Sequence, residues 1–212
     1  MPGAAARPAK PDRVAALIVR ADPAFRRVVA AAGPVALGRG TTDAFSALVR
    51  AIVFQQLAGR AASAIHGRVT ALFEGGIVEP AAMLALAPES LRGAGLSANK
   101  LAALLDLAAR FSDGTVPVHD LDALSDDEIV ERLTTVRGIG RWTAQMFLIF
   151  QLARPDVWPV EDLGVRNGWS RIHELDSPLP AKQLTPFGDV FRPHRSSVAW
   201  YCWQAMDTLL PG

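Results

Sequence analysis

The feature that most narrows what this chain can fold into is its hydrophobic period. Phe45, Leu48, Val49 and Ile52 recur at i, i+3, i+4 and i+7, the spacing of one buried helix face, behind a Thr42/Asp43 pair suited to an N-cap. A second helix is expected from about Gly59 to Phe73, stopped by Gly75-Gly76, and a third over the Leu/Ala-rich run Ala98 to Phe111. Ser125 and Glu128 fit a capping box, with Ile129, Leu133 and Val136 as the stripe behind it. Ala144 to Leu152 is nearly all apolar, which predicts a helix buried on most sides, and a last helix starts near Arg195 and ends before Pro211. No stretch alternates apolar and polar residues between turn signals, as a half-buried strand would. The expected class is all-α.

The bulk numbers agree and exclude several alternatives. With 212 residues, half of them hydrophobic and a fifth charged, the chain is composed like a folded domain rather than a disordered one. No window reaches about 18 consecutive apolar residues, so no membrane span is expected. Met1 to Pro11 has no apolar core of the secretory kind, and the first ten residues, rich in Pro and Ala, read as a loose tail. A single cysteine, Cys202, excludes a disulfide framework and any four-cysteine metal or cluster site, and the cytoplasm is the simplest compartment. The histidines (66, 119, 173 and 194) show no metal-ligand spacing. Net charge is only +1, which by itself argues against a nucleic-acid partner. Residues 1–70, however, carry ten Arg/Lys against three Asp, so a basic face can exist on a near-neutral chain.

The most informative segment runs from Leu133 to Ala144. A helix ends, Gly138-Ile139-Gly140 makes a tight hairpin, and another helix begins at once. Glycine permits positive φ and close backbone approach, and a new helix presents free N–H groups and the positive end of its dipole, which together suit a phosphate oxygen. Such contacts position DNA without reading its sequence. A plain αα-corner would use the same glycines. The whole run, with Arg137 and Arg141 flanking the glycines and Trp-Thr-Ala following, favours the phosphate-holding hairpin.

Val136 to Ala144 resembles the helix-hairpin-helix of the superfamily that includes endonuclease III and DNA-3-methyladenine glycosylase II. About twenty residues on, Trp158-Pro159-Val160-Glu161-Asp162-Leu163-Gly164 resembles the Pro-x-x-Asp loop that carries the superfamily's catalytic aspartate. The run Leu48 to Leu57, ending in Gln55-Gln56, is similar to the helix and Gln-rich loop of the alkylation-repair branch. Arg192-Pro193-His194-Arg195-Ser196 with Trp200-Tyr-Cys-Trp203 resembles that branch's C-terminal signature. The resemblance implies a single glycosylase domain over residues 1–212, with a central helical subdomain of about 41–154, a second from 1–40 plus 155–212, and a cleft between them where Asp162 faces Trp203.

Chemistry gives these positions roles. Hydrolysing an N-glycosidic bond builds positive charge on the deoxyribose, which a carboxylate stabilises while orienting or deprotonating water. Pro159 ahead of a helix puts Asp162 near its N-terminus, where the dipole favours the ionised form. Otherwise Asp162, or Glu161, is merely an acid of the first helical turn. In members that also nick the strand, the residue after Gly-x-Gly-x is a lysine that attacks the sugar. Here it is Trp142, so the resemblance implies hydrolysis that leaves an abasic site. Lys100 and Lys182 are distant in sequence, although folding could bring them near.

Val198, Cys202, Ala205 and Leu209, with Met206 beside them, suggest the core stripe of the last helix, which directs Trp200 and Trp203 the other way. By resemblance Trp203 stacks on the flipped base. A cationic methylated purine would gain roughly 0.5–2 kcal/mol there by cation–π attraction, and stacking roughly 1–3 kcal/mol. The alternative is that both tryptophans pack a second subdomain. Met146 stands where relatives often have an aromatic, which would leave the base pocket of Trp142 and Met146 wider.

Gln56, four residues after Ile52, is expected to continue the buried face. It or Gln55 would fill the gap left by the base, or else cap the helix. Cys202 reads as a small buried hydrophobe. By resemblance the carbonyls of Thr134, Val136 and Ile139 would bind Na+ or K+ bridging to phosphate, with no catalytic metal or organic cofactor required. The partner would be double-stranded DNA carrying damaged bases, met by a monomer. Two rival readings remain: a glycosylase for a mismatched or oxidised base, and a non-catalytic DNA-binding module.

Overall fold

The computed structural model describes residues 13–117 and 121–209. The expected N-terminal tail, His119 and the chain end at Pro211 lie outside the described residues. The described chain is all helical, with no strand. In chain order the helices are α1 (Arg13–Ala21), α2 (Arg26–Ala32), α3 (Ala44–Phe54), α4 (Gly59–Thr70), α5 (Pro80–Ala85), α6 (Pro88–Gly93), α7 (Ala98–Ser112), α8 (Asp126–Thr134), α9 (Arg141–Phe150), α10 (Leu163–Ile172), α11 (Ala181–Leu184) and α12 (Arg195–Thr208). They fall into two compact units. One takes the chain up to Leu37 and from Pro155 onward; the other is Gly38–Arg154.

Local chemistry marks the starts of several of these helices. Asp43 Oδ1 accepts the Ser46 N–H at 2.8 Å and caps α3, and Ser97 Oγ accepts the Lys100 N–H and caps α7. Proline opens α5 and α6 at their first turns, where its missing N–H is not needed. The capping box is formed in full: the Glu128 N–H donates to Ser125 Oγ, and the Ser125 N–H donates to Glu128 Oε2 at 2.8 Å. Ser125→Ala is expected to lower the melting temperature by about 3 °C, read by thermal melting, and an unchanged value would remove the box from the account of α8. The helix expected to reach Phe73 ends at Thr70. A short 3-10 turn over Glu74–Gly76 follows, with Gly75 and Gly76 at positive φ.

In the Gly38–Arg154 unit, α3 packs on α4, α7 and α9, α5 packs on α7, and α8 packs on α9. Phe45, Leu48, Ile52, Leu104, Leu107, Ile129, Leu133 and Leu148 are all buried, with Phe45 edge-on to Phe111 at 5.2 Å between ring centres. In the other unit the central pair is α10 and α12. A Cβ on Gly168 would lie 1.8 Å from the Cys202 carbonyl oxygen, so only glycine lets the two helices cross this closely. The Tyr201 hydroxyl, on a wholly buried ring, donates to the Gly33 carbonyl at 3.0 Å and ties α12 to the turn after α2.

The stripe reading of the last helix is corrected by this packing. Val198, Ala199, Trp200, Tyr201 and Cys202 are five consecutive buried residues, because α12 is sheathed by α1, α2, α10 and the 3-10 turn Thr185–Phe191. Trp200 therefore belongs to the core, edge-on to Tyr201 at 5.0 Å, and not to an open base pocket. No helix among the described residues is long and apolar enough to cross a membrane.

Candidate functional site

In the Gly38–Arg154 unit the hairpin after α8 is built by its own backbone. The Ile139 N–H donates to the Val136 carbonyl at 3.1 Å, and Gly138 sits at φ +79°, which favours glycine. Ile139 is buried and anchors the turn from beneath, so any DNA contact there is made by backbone, while Arg137 and Arg141 are exposed on either side. Gly140 is the N-cap of α9 in extended conformation and makes no side-chain cap bond. The first N–H groups of a helix have no partner within that helix, and Gly140 has no side chain to cap them, an arrangement suited to an anion.

Beside the hairpin, α3 stops at Phe54. Gln55 leaves the helical path at ψ 131°, and Gln56 follows at φ +55°, a left-handed conformation that side chains rarely adopt. This corrects the placement of Gln56: it is not on the buried face of α3 but exposed at the tip of the turn. Gln55 does not cap α3 with its amide either. Its Nε2 donates to the Gly138 carbonyl at 3.0 Å, with Thr143 Oγ1 at 3.4 Å. Phe54, Gln55, Gln56, Gly138, Trp142 and Met146 line one groove of about 550 Å3. Trp142 is 46% exposed there, and the Arg50 guanidinium lies 3.9 Å above the Phe54 ring.

Lys100 is not a distant residue in the fold. Its Nζ donates to the Val53 and Gln55 carbonyls at 2.7 and 2.9 Å, and burial lowers its pKa. The amine is thereby engaged by the backbone rather than presented as a nucleophile.

The other unit holds Asp162. Pro159 accepts the Asp162 N–H at 2.9 Å, closing the turn that delivers the carboxylate to the N-cap of α10. Asp162 Oδ1 accepts two bonds, from the Val165 N–H at 2.8 Å and from the Trp203 indole Nε1–H at 2.9 Å. Gly164 makes this contact possible, since a Cβ there would lie 2.9 Å from the Trp203 ring and 3.0 Å from Asp162 Oδ1. The carboxylate is thus fixed by a helix N-terminus and an indole, while Glu161 is exposed. Beneath it, burial and then the Asp162 charge push the Cys202 thiol far above its usual range, so it stays protonated.

The structure therefore brings Asp162 together with Trp203, and Gln55, Gln56, Gly138, Trp142 and Met146 together with one another. Sequence reasoning missed Phe54, Thr143 and Gly164 as parts of these sites, and Asp106, whose Oδ2 accepts the Arg137 backbone N–H of the hairpin at 2.7 Å. Phe54 carries the signal used for Trp203, a large aromatic off the helix stripe. The other three depend on tertiary approach and leave no local mark. Among the described residues no group of three or more His, Cys, Asp or Glu could hold a metal ion.

Comparison with known proteins gives a consistent result. Over 165 residues, 76% of this chain and 72% of the relative, the sequence is 36% identical to DNA-3-methyladenine glycosylase 1 of Schizosaccharomyces pombe. The solved structure of the S. pombe 3-methyladenine DNA glycosylase Mag1 in complex with abasic DNA matches with a TM-score of 0.80 at 32% identity, covering 90% of this chain and 95% of that one. A DNA-3-methyladenine glycosidase structure from Bacillus halodurans matches with a TM-score of 0.85, also at 32% identity, covering 93% of this chain and 90% of that one. Residues 49–187, which hold the Gln loop, the hairpin and Asp162, match the family described as HhH-GPD superfamily base excision DNA repair protein. This chain belongs to the HhH-GPD superfamily of base-excision DNA repair proteins.

Proposed function

We propose that this chain is a DNA glycosylase that hydrolyses the N-glycosidic bond of alkylated bases, of the 3-methyladenine and 7-methylguanine type, and leaves the strand intact. The observation that carries the reading is the Asp162 carboxylate, fixed at the N-cap of α10 with the Trp203 indole N–H on the same oxygen. As the glycosidic bond breaks, positive charge grows on the sugar. A carboxylate held in place stabilises that charge without reorganising, and it can orient or take a proton from the attacking water. Trp203 offers an electron-rich ring to a cationic methylated purine. The hairpin supplies backbone N–H groups for phosphate, and exposed Gln56 supplies a side chain for the space the flipped base vacates.

Trp142 stands directly after Gly138-Ile139-Gly140-Arg141, and Lys100 is held by two carbonyls, so no amine at these positions is offered for attack on the sugar. The proposed product is an abasic site. The carbonyls of Thr134, at the end of α8, and of Val136 and Ile139, in the hairpin that follows, are hard oxygen donors of the kind that suits Na+ or K+ bridging to phosphate in the DNA complex. No step of hydrolysis is assigned to that ion.

The test is base release from methylated duplex DNA, with abasic sites and strand nicks scored separately and with borohydride added to trap any Schiff base. Abasic sites without nicks or trapped adduct are expected. Nicks or a trapped adduct would overturn the monofunctional reading. Tight DNA binding with release only from a mismatched or oxidised base would move the chain to that substrate class, and binding with no release from any substrate would make it a binding module.

A further inference from the structure

Helix α7 touches both the Gln loop and the hairpin of the Gly38–Arg154 unit, through the side chains of Lys100 and Asp106. Lys100 is the third residue after the Ser97 N-cap, where a cation opposes the helix dipole. Its ammonium nonetheless sits on the Val53 and Gln55 carbonyls, closing the last turn of α3 as the chain enters the left-handed Gln56. Six residues on, about 9 Å along the helix, Asp106 Oδ2 accepts the Arg137 backbone N–H at 2.7 Å while the Arg110 guanidinium steadies it at 3.1 Å. Between the two, Ala103 lies beneath Gly138, where an added Cβ would come within 3.2 Å of the alanine methyl. Gln55 completes the frame through its bond to the Gly138 carbonyl.

We propose that α7 is a spacer that fixes the Gln loop against the phosphate-binding hairpin, and that Lys100 and Asp106 are the positioning residues at its two contacts. The inference rests on the reading of Gln56 as the residue that enters the duplex and of the hairpin as the phosphate holder. The separation of these two loops decides whether a duplex gripped at the backbone is also opened at the base. Lys100 serves the opening and Asp106 serves the grip.

The experiment uses the full chain and its Lys100→Met, Lys100→Arg and Asp106→Asn variants. Three quantities are read: kcat and KM on methylated duplex, affinity for undamaged duplex, and the fluorescence of 2-aminopurine, which rises when a base leaves the stack. Lys100→Met is expected to lower kcat and the fluorescence rise about tenfold or more while undamaged-duplex affinity holds. Lys100→Arg, which keeps the charge and the donors, should restore both. Asp106→Asn is expected to raise KM and weaken undamaged-duplex binding with kcat largely retained.

Equal losses across all three quantities in both variants, or loss in Lys100→Arg matching that in Lys100→Met, would mean a structural role only and overturn the proposal. Should the parent release no base yet still raise 2-aminopurine fluorescence, the glycosylase reading fails while the spacer is judged on fluorescence and affinity. A parent that raises no fluorescence overturns the spacer together with the role of Gln56.

Discussion

Asp162→Asn is expected to reduce base release by about 100- to 1000-fold or more at saturating enzyme, in the range seen when one preorganised electrostatic group is removed from an active site. The substitution is clean because of where the residue sits. Asparagine serves as well as aspartate at an N-cap, and its side-chain oxygen can still accept the Val165 N–H and the Trp203 indole N–H. The melting temperature and the affinity for undamaged duplex should therefore stay close to the parent's. What disappears is the negative charge that would oppose the cation growing on the sugar. Single-turnover base release from methylated duplex checks this, and equal rates for parent and variant would remove Asp162 from the mechanism.

The largest expected effect on stability lies two helix turns away. In the interior of a helix, Gly→Ala ordinarily favours folding by up to about 1 kcal/mol. At Gly168 the sign should reverse. The new methyl would sit 1.8 Å from the Cys202 carbonyl oxygen, a backbone atom that no rotamer change can move. Relief requires α10 and α12 to separate, and overpacking of this kind costs on the order of 3 kcal/mol, or about 10 °C in melting temperature for a chain of this size. Gly67, inside α4 with nothing within 4 Å of its added methyl, supplies the contrast: Gly67→Ala should be neutral or stabilising. A Gly168→Ala protein that melts with the parent would show that the crossing is looser than described. Because α10 carries Asp162 at its head, any variant that stays folded should also lose activity.

Signals that act within one helical turn were legible in the sequence. Asp43, the Ser125/Glu128 box and Asp162 all cap the helices their positions predict, because capping is settled by three or four consecutive residues. The hairpin was legible for the same reason. What failed were inferences that assumed one wet face per helix. Trp200 was expected to point away from the core, yet α12 is enclosed on nearly every side, so its periodicity carries no directional information. Gln56 was expected to extend the stripe of α3, but the helix ends two residues earlier, where the Lys100 ammonium reaching in from α7 takes the Val53 and Gln55 carbonyls. Neither that reach nor the Asp106 contact to Arg137 follows from spacing, since each joins segments more than thirty residues apart.

The state of Cys202 has a consequence for an enzyme proposed to serve alkylation repair. The reagents that methylate purines are electrophiles, and among protein groups they react fastest with thiolates. This chain has one sulfhydryl, and it is wholly buried in α12 and kept protonated by its apolar surroundings and by the nearby Asp162 carboxylate. Burial first, and the carboxylate proposed to assist repair second, therefore shield the chain's one thiol, and activity should outlast a dose of methylating agent that consumes exposed protein thiols.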